Sequence, residues 1–256
     1  MLATALICSN WIWCDMEFEC YEFTHAGGRE CNEDSVGHKQ FPGGALYVLA
    51  DGLGGHLFGD IASQRVLETL LNSAPPNSEK NSEEWLNILL ENANANVLTL
   101  SSEKSSKMKS TVVTLLLRGS EAIWANVGDS RLYYLHNNEI VGITEDHSVA
   151  YRKYKAGEIT REQIRNDADQ PSLLRAIGNA ERHAPSFYKT VEALQPGDAF
   201  LLCSDGLWEY LLDDEILIDF LKSEDAKSWG EALLLRVIDR VDTGHDNLSL
   251  ISVIVK

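Results

Sequence analysis

The sequence predicts an α+β fold with largely antiparallel sheets. Short runs rich in apolar, β-branched and aromatic residues, at 45–50, 111–117, 122–127, 131–135, 199–204 and 248–255, read as buried strands by length and content. They are joined by hairpins as often as by helices, which disfavours a doubly wound parallel sheet. A further observation concerns their ends. Asp51-Gly52, Gly128-Asp129 and Asp205-Gly206 follow three of these runs, and Asp246-Asn247 opens the last. Each pair alone is ordinary turn chemistry. Carboxylates at several strand ends, however, lie at the rim of a core and repel one another unless a cation joins them. An all-oxygen donor set suits Mg²⁺ or Mn²⁺ rather than Zn²⁺.

In chain order, residues 1–15 look unlike the rest and are set apart as an N-terminal extension; residues 16–256 are expected to form a single domain. Alternation over 17–24 suggests a first strand. After the glycine-rich stretch 52–59, Ala62, Val66, Leu67, Leu70 and Leu71 recur at helical spacing and stop near Pro75-Pro76. A second helix is expected from Ser82, read as its N-cap, with Glu83 and Glu84 in the first turn. Its apolar stripe runs from Trp85 to Val97. Residues 101–109 form a polar linker. Strands follow at 111–117, 122–127, 131–135 and 139–143, the last two joined by a turn at Asn137-Asn138. Residues 147–185 are polar, with two short helical patterns. A strand at 199–204, helices at 214–221 and 228–241, and a final strand complete the chain.

The chain has 22 Lys and Arg against 39 Asp and Glu, a formal charge of −17. Nucleic acids and anionic membranes need a basic surface, so neither is an expected partner. Five cysteines, an odd number with no CxxC pair, argue against a disulfide framework or zinc knuckle and fit a reducing cytoplasm. No apolar run reaches membrane-spanning length. Residues 1–14 are apolar but lack a basic n-region, so a signal peptide is not expected. Gly52-x-Gly54-Gly55 lacks the spacing of a dinucleotide site, and no P-loop lysine accompanies it.

The flanks of the acidic pairs are more specific. In order they are Arg29-Glu-Cys-Asn-Glu33-Asp34, Asp51-Gly-Leu-Gly-Gly-His56-x-x-Gly59, Ser110-Thr111, Gly128-Asp-Ser-Arg131, Thr144-x-Asp-His-Ser148, Leu174-Arg-Ala-Ile-Gly178, Cys203-Ser-Asp-Gly206 and Asp246-Asn247. The set resembles the metal-dependent Ser/Thr protein phosphatases of type 2C, and their compact bacterial members most of all. The resemblance covers about residues 18–256. It implies a four-layer αββα sandwich, two antiparallel sheets with helices outside, and hydrolysis of phosphoserine and phosphothreonine on proteins. It also implies a cofactor of two tightly bound Mn²⁺ or Mg²⁺ ions and a weaker third. Asp51 would bridge the pair, with the Gly52 carbonyl on one ion and Asp205 and Asp246 on the other. Glu33 and Asp34 would hold waters on the ions, and Asp129, with Asp205, the third ion. Arg29 would clamp the substrate phosphate, since its planar fork matches two phosphate oxygens. The expected partners are phosphorylated substrates of a Ser/Thr kinase, met by a monomer.

There are departures. Leu53 stands where some members, mainly eukaryotic, place a histidine proposed as general acid; bacterial members commonly have an apolar residue there. Lys109 stands where glycine often precedes the Ser/Thr-Thr pair. Residues 147–185 correspond to the flap of bacterial members, where substrate preference is expected to lie. His56 and His147 read as structural. The alternatives are a pseudophosphatase that binds phosphoproteins without turnover, and a narrow partner-switching regulator.

Overall fold

The computed structural model describes residues 16–53, 58–74 and 81–256. The N-terminal extension and His56 lie outside the described residues. The first part of the chain forms β1 (Phe18–His25), β2 (Asp34–Phe41), β3 (Gly44–Leu53), α1 (Gly59–Leu71) and α2 (Ser82–Glu103). Then come β4 (Lys109–Ser110), β5 (Val112–Arg118), β6 (Glu121–Val127), β7 (Arg131–His136) and β8 (Glu139–Ile143). Residues 147–185 carry α3 (Val149–Lys155) and a 3₁₀ turn (Glu162–Asn166). The chain closes with β9 (Ser186–Lys189), β10 (Ala199–Cys203), α4 (Asp205–Trp208), α5 (Asp213–Lys222), α6 (Ala226–Ile238) and β11 (Leu248–Val255).

One sheet has the order β1-β11-β10-β7-β8, the other β2-β3-β5-β6-β9 with β4 beside β3. Neighbours within each are antiparallel, as the hairpin-rich sequence predicts. Period-two alternation builds the layers. In β3, Ala45, Tyr47 and Leu49 face the other sheet, while Leu46, Val48 and Ala50 pack under α1 and α2. In β11, Ile251, Val253 and Val255 face inward, while Leu248, Leu250 and Ile254 pack under α6 and α4. Three apolar cores therefore stack between four layers, and the αββα expectation holds. No helix among the described residues is long and apolar enough to cross a membrane.

Local departures have local causes. The N-cap of α2 is Asn81, whose side chain accepts from Glu83 N at 3.0 Å; Ser82 is the first helical residue. The edge strands β2 and β9 carry little apolar alternation, so neither stands out in the sequence. The turn at Asn137-Asn138 forms as expected, with φ of 51° and 63° at the two residues. Such left-handed pairs match the twist of a two-residue hairpin.

Candidate active site

The inner faces of the strands run out of apolar residues at one end of the sandwich. Asp51 follows Leu49 on the inner parity of β3, and Asp34 of β2 pairs directly opposite it. Ser204 follows Leu202 of β10 and donates from Oγ to Asp34 Oδ2 at 2.9 Å. Asp129 lies in the β6–β7 loop, Asp205 opens α4, and Asp246 precedes β11.

Hydrogen bonds fix these loops to one another. Thr111 Oγ1 accepts from Asp51 N at 3.1 Å and bonds Ser130 Oγ at 2.7 Å, linking the Asp51 and Asp129 loops. The Asp51 carbonyl accepts from Thr111 N and Ser110 Oγ. Asn247 Nδ2 donates to the carbonyls of Ala26 and Cys31, and its Oδ1 accepts from Glu33 N at 2.8 Å. The 26–33 loop is thereby stitched to the Asp246 loop. Gly52 is required by a close approach: a Cβ there would stand 2.0 Å from the Gly59 carbonyl oxygen. At Gly128 the backbone is left-handed, with φ of 107°.

The electrostatics follow from crowding acids into a rim with little water. Desolvation, then Asp34, Asp205, Asp129 and Asp246, hold the Asp51 carboxyl well above the usual carboxylate range. Burial, Asp205 and Asp146 do the same to Asp129. Asp34 is pushed by burial and Asp205 to about 7, against the Ser249 and Ser204 hydroxyls that favour its charge. Asp205 rises to about 6 by desolvation and Asp246. Glu33 is raised by desolvation, against a hydrogen bond from the Gly59 backbone. Arg29, exposed on its loop, donates from Nη2 to Asp246 Oδ2 at 3.0 Å.

The sequence-predicted residues Arg29, Glu33, Asp34, Asp51, Gly52, Asp129, Asp205 and Asp246 thus lie around one rim. Asp34 Oδ1 is buried there without a hydrogen-bond partner. Oxygen donors held together against their own repulsion, one with an orphaned lone pair, fit a hard divalent cation. Among the described residues no three His, Cys, Asp or Glu side chains enclose an ion as they stand, so the fit rests on donor chemistry and crowding.

Residues 24–239 match the family model described as protein phosphatase 2C. The chain belongs to the protein phosphatase 2C family. The serine/threonine phosphatase stp of Listeria welshimeri is 30% identical over 232 residues, 88% of this chain and 90% of that one. Among solved structures, the serine/threonine phosphatase Stp1 from Staphylococcus aureus is similar with a TM-score of 0.84 and 29% identity. The match covers 94% of this chain and 96% of that one. The catalytic domain of the phosphatase PstP in complex with two manganese ions has a TM-score of 0.79 and 27% identity, over 94% and 99% of the two chains.

The phosphatase also places residues that sequence reasoning passed over or left unexplained. Glu209, at the end of α4, is pushed up to about 8 by burial and by Asp205 and Asp246, so it belongs to the acidic rim. Its signal was the i, i+4 spacing from Asp205, one helical turn along. The Thr144-x-Asp-His-Ser148 motif is structural. Asp146 takes a bidentate pair from Arg131, Thr144 Oγ1 accepts from Leu132 N, and Ser148 caps α3. His147 Nδ1 accepts from Gly128 N, and its Nε2 lies 2.9 Å from Ser186 Oγ and 3.2 Å from Arg175 Nη1. Burial and Arg175 push His147 down to about 4, which suits a neutral packing residue.

Proposed function

We propose that this phosphatase hydrolyses phosphoserine and phosphothreonine esters on proteins, using divalent Mn²⁺ or Mg²⁺ held at the acidic rim. The observation that carries the reading is the convergence of Asp34, Asp51, Asp129 and Asp205, each raised by desolvation and by neighbouring carboxylates, at the open end of the inter-sheet core. The manganese-bound neighbour of similar fold supports it. Asp51, the Gly52 carbonyl, Asp205 and Asp246 would hold a tight pair of ions, and Asp129 with Asp205 a weaker third. Residues 16–256 form the catalytic domain in this reading, with 147–185 as its flap.

Bound divalent cations supply an acidified water as nucleophile and neutralise the phosphoryl oxygens. The protein does the rest by position. Asp34, raised yet hydrogen-bonded by Ser204, sits beside Asp51 to orient that water and receive its proton. Arg29 offers a planar fork to two phosphate oxygens, and its pairing with Asp246 keeps the guanidinium at the rim. Water oxygen bonds to phosphorus as the P–O ester bond breaks; the proton Asp34 takes up balances the one the leaving serine or threonine oxygen gains, and inorganic phosphate is released. Leu53 has no proton to give the leaving oxygen.

The test is Mn²⁺ binding by calorimetry beside hydrolysis of a phosphothreonine peptide. Turnover should vanish in chelator, return with Mn²⁺, and be lost in Asp51→Asn and Asp246→Asn. Full activity in excess chelator would sink the mechanism. Metal binding without turnover of any phosphate ester would leave a phosphoprotein binder.

A further inference from the structure

Lys109 departs from the family pattern in a place that bears on the substrate. It pairs with Leu53, two residues beyond Asp51 on β3. At about 3.3 Å per residue, Lys109 stands roughly 7 Å along the strand from the rim. Its backbone is held on the other side as well. Ser110 N donates to the Ile177 carbonyl at 3.1 Å, and Ile177 N returns a bond at 2.8 Å. Gly178 lies so close that a Cβ there would meet the Met108 carbonyl at 2.4 Å. Met108 and Ser110 are buried, so the alternate residues Lys107 and Lys109 face outward.

Beside them lies a pocket of about 470 Å³, lined in part by Ser101, Ser102, Ser105, Ser106, Lys107 and Lys109. The helix end that enters it is already capped: Ser105 N and Ser106 N donate to the carbonyls of Ser102 and Ser101. Ser101 Oγ is used locally, by Met108. The hydroxyls of Ser102, Ser105 and Ser106, and both ammonium groups, have no hydrogen-bond or ion-pair partner among the described residues. Residues 101–109 carry three lysines and one carboxylate, Glu103, within a chain of net charge −17. A pocket whose lining includes two lysines and four serines, two strand residues beyond the acidic rim, has the donor chemistry to receive an anion.

We infer that Lys107 and Lys109 form a specificity pocket for an anionic group on the substrate, a carboxylate or a second phosphate ester near the scissile phosphoserine or phosphothreonine. This rests on the phosphatase reading above. With about 3.4 Å per residue of extended chain, the anion lies about two to four residues from the phosphorylated one. It also offsets the repulsion that the acidic rim exerts on such substrates.

The experiment compares phosphothreonine peptides in which positions two to four residues away, on either side, are Ala, Asp or phosphoserine. The Asp and phosphoserine peptides distinguish the two anion sources. The parent enzyme with Mn²⁺ should show a lower KM for an anionic peptide than for the Ala peptide, by roughly four- to 25-fold from two ammonium groups at roughly two- to fivefold each. In K107A/K109A the advantage should disappear, with turnover of the Ala peptide and of a phenyl phosphate unchanged. Lys109→Glu should reverse the preference, and 0.5 M salt should shrink it in the parent. Equal KM for anionic and Ala peptides in the parent, or an undiminished advantage in K107A/K109A, overturns the inference while turnover of the Ala peptide upholds the phosphatase reading. If no ester is turned over, that reading fails, and fluorescence anisotropy of the same labelled peptides on parent and K107A/K109A decides the pocket by the same comparison.

Discussion

Arg131 and Asp146 make a buried ion pair whose removal separates stability from activity. Their side chains are 2% and 1% exposed. Arg131 Nε and Nη2 donate to the two Asp146 oxygens at 2.8 and 2.7 Å, and the guanidinium lies 3.5 Å from the Trp208 ring centroid. Trp208 in turn donates from Nε1 to the Asp129 carbonyl at 3.0 Å. Asp146→Ala strips both charge-assisted bonds and leaves the guanidinium buried without a counterion. Breaking such a pair costs about 3–5 kcal/mol. At about 2–4 °C per kcal/mol for a chain of this size, Tm should fall by on the order of 10 °C. Arg131→Met with Asp146→Leu removes the desolvation of both charges together with the pair, so stability should return to within about 1 kcal/mol of the parent or exceed it. Activity should stay low, because Trp208 loses the plane it rests on and Asp129 its fixed carbonyl. Urea unfolding reads the first quantity and Mn²⁺-dependent hydrolysis the second. A loss under about 1 kcal/mol in Asp146→Ala would refute the stability argument. Full turnover in the double variant would refute the positioning of Asp129 through Trp208.

In chelator, the folded chain keeps protons on Asp34, Asp205 and Glu209, at about 7, 6 and 8, that an unfolded chain releases nearer 4. The folded state binds more protons in that window, so stability should fall as pH rises from 5.5 to 8.5 and recover with Mn²⁺; a Tm that climbs across the window in chelator contradicts this. Arg29→Ala should raise KM for a phosphopeptide by about tenfold and lower kcat less, the loss of a charge-assisted contact made to substrate as well as transition state; an unchanged KM would move the clamp to another residue. With a water on the ion proposed at Asp129 as the proton source for the leaving oxygen, Asp129→Ala should slow phosphopeptides more than phenyl phosphates, whose better leaving groups need less protonation; equal losses on both substrates would return Asp129 to a structural role. His38 is raised to about 10 by the Cys20 thiol and the Glu22 carboxylate, which bonds Nδ1 at 2.7 Å. Its raised folded pKa stabilises fully below about 6.5 and is lost as pH climbs through 10, so the Tm deficit of His38→Gln should shrink from pH 6 to pH 10.5; a constant deficit would assign the effect to packing.

The apolar strands were legible because each is buried on both faces. Residues 45–50, 122–127 and 248–255 serve the inter-sheet core with one parity and the helix layers with the other, so the sequence shows predominantly apolar runs broken only by Asn126, Ser249 and Ser252. β2 was not legible for the opposite reason. It is an edge strand whose Gly37, His38, Lys39 and Gln40 give no alternation, yet it delivers Asp34 opposite Asp51. Asn247 appeared only as the second half of an acidic pair. Its use as a stitch across three carbonyl or amide groups more than 200 residues away follows from tertiary folding, which local pattern does not encode. Arg131 was given no role of its own in the Gly128-Asp-Ser-Arg131 motif, because its partner Asp146 lies across a hairpin.

The acids converge because of strand parity. The inner positions of β3 run Ala45, Tyr47, Leu49 and then Asp51; those of β10 run Phe200, Leu202 and then Ser204. β11 enters from the same end, so its inner series begins with Ser249 before Ile251. β2 begins with Asp34 before Val36. Antiparallel pairing turns the last inner residue of one strand into a neighbour of the first inner residue of the next. The site is therefore one end at which the inter-sheet core stops being apolar, and at that end the polar positions are the continuation of the same inner series that is apolar between the sheets. A one-residue slip of β3 against β2 would move Asp51 to the helix side, beneath α1, and place Ala50 at the rim. The apolar core fixes that register, so the packing of Tyr47 and Leu49 between the sheets is what holds Asp51 at the acidic rim.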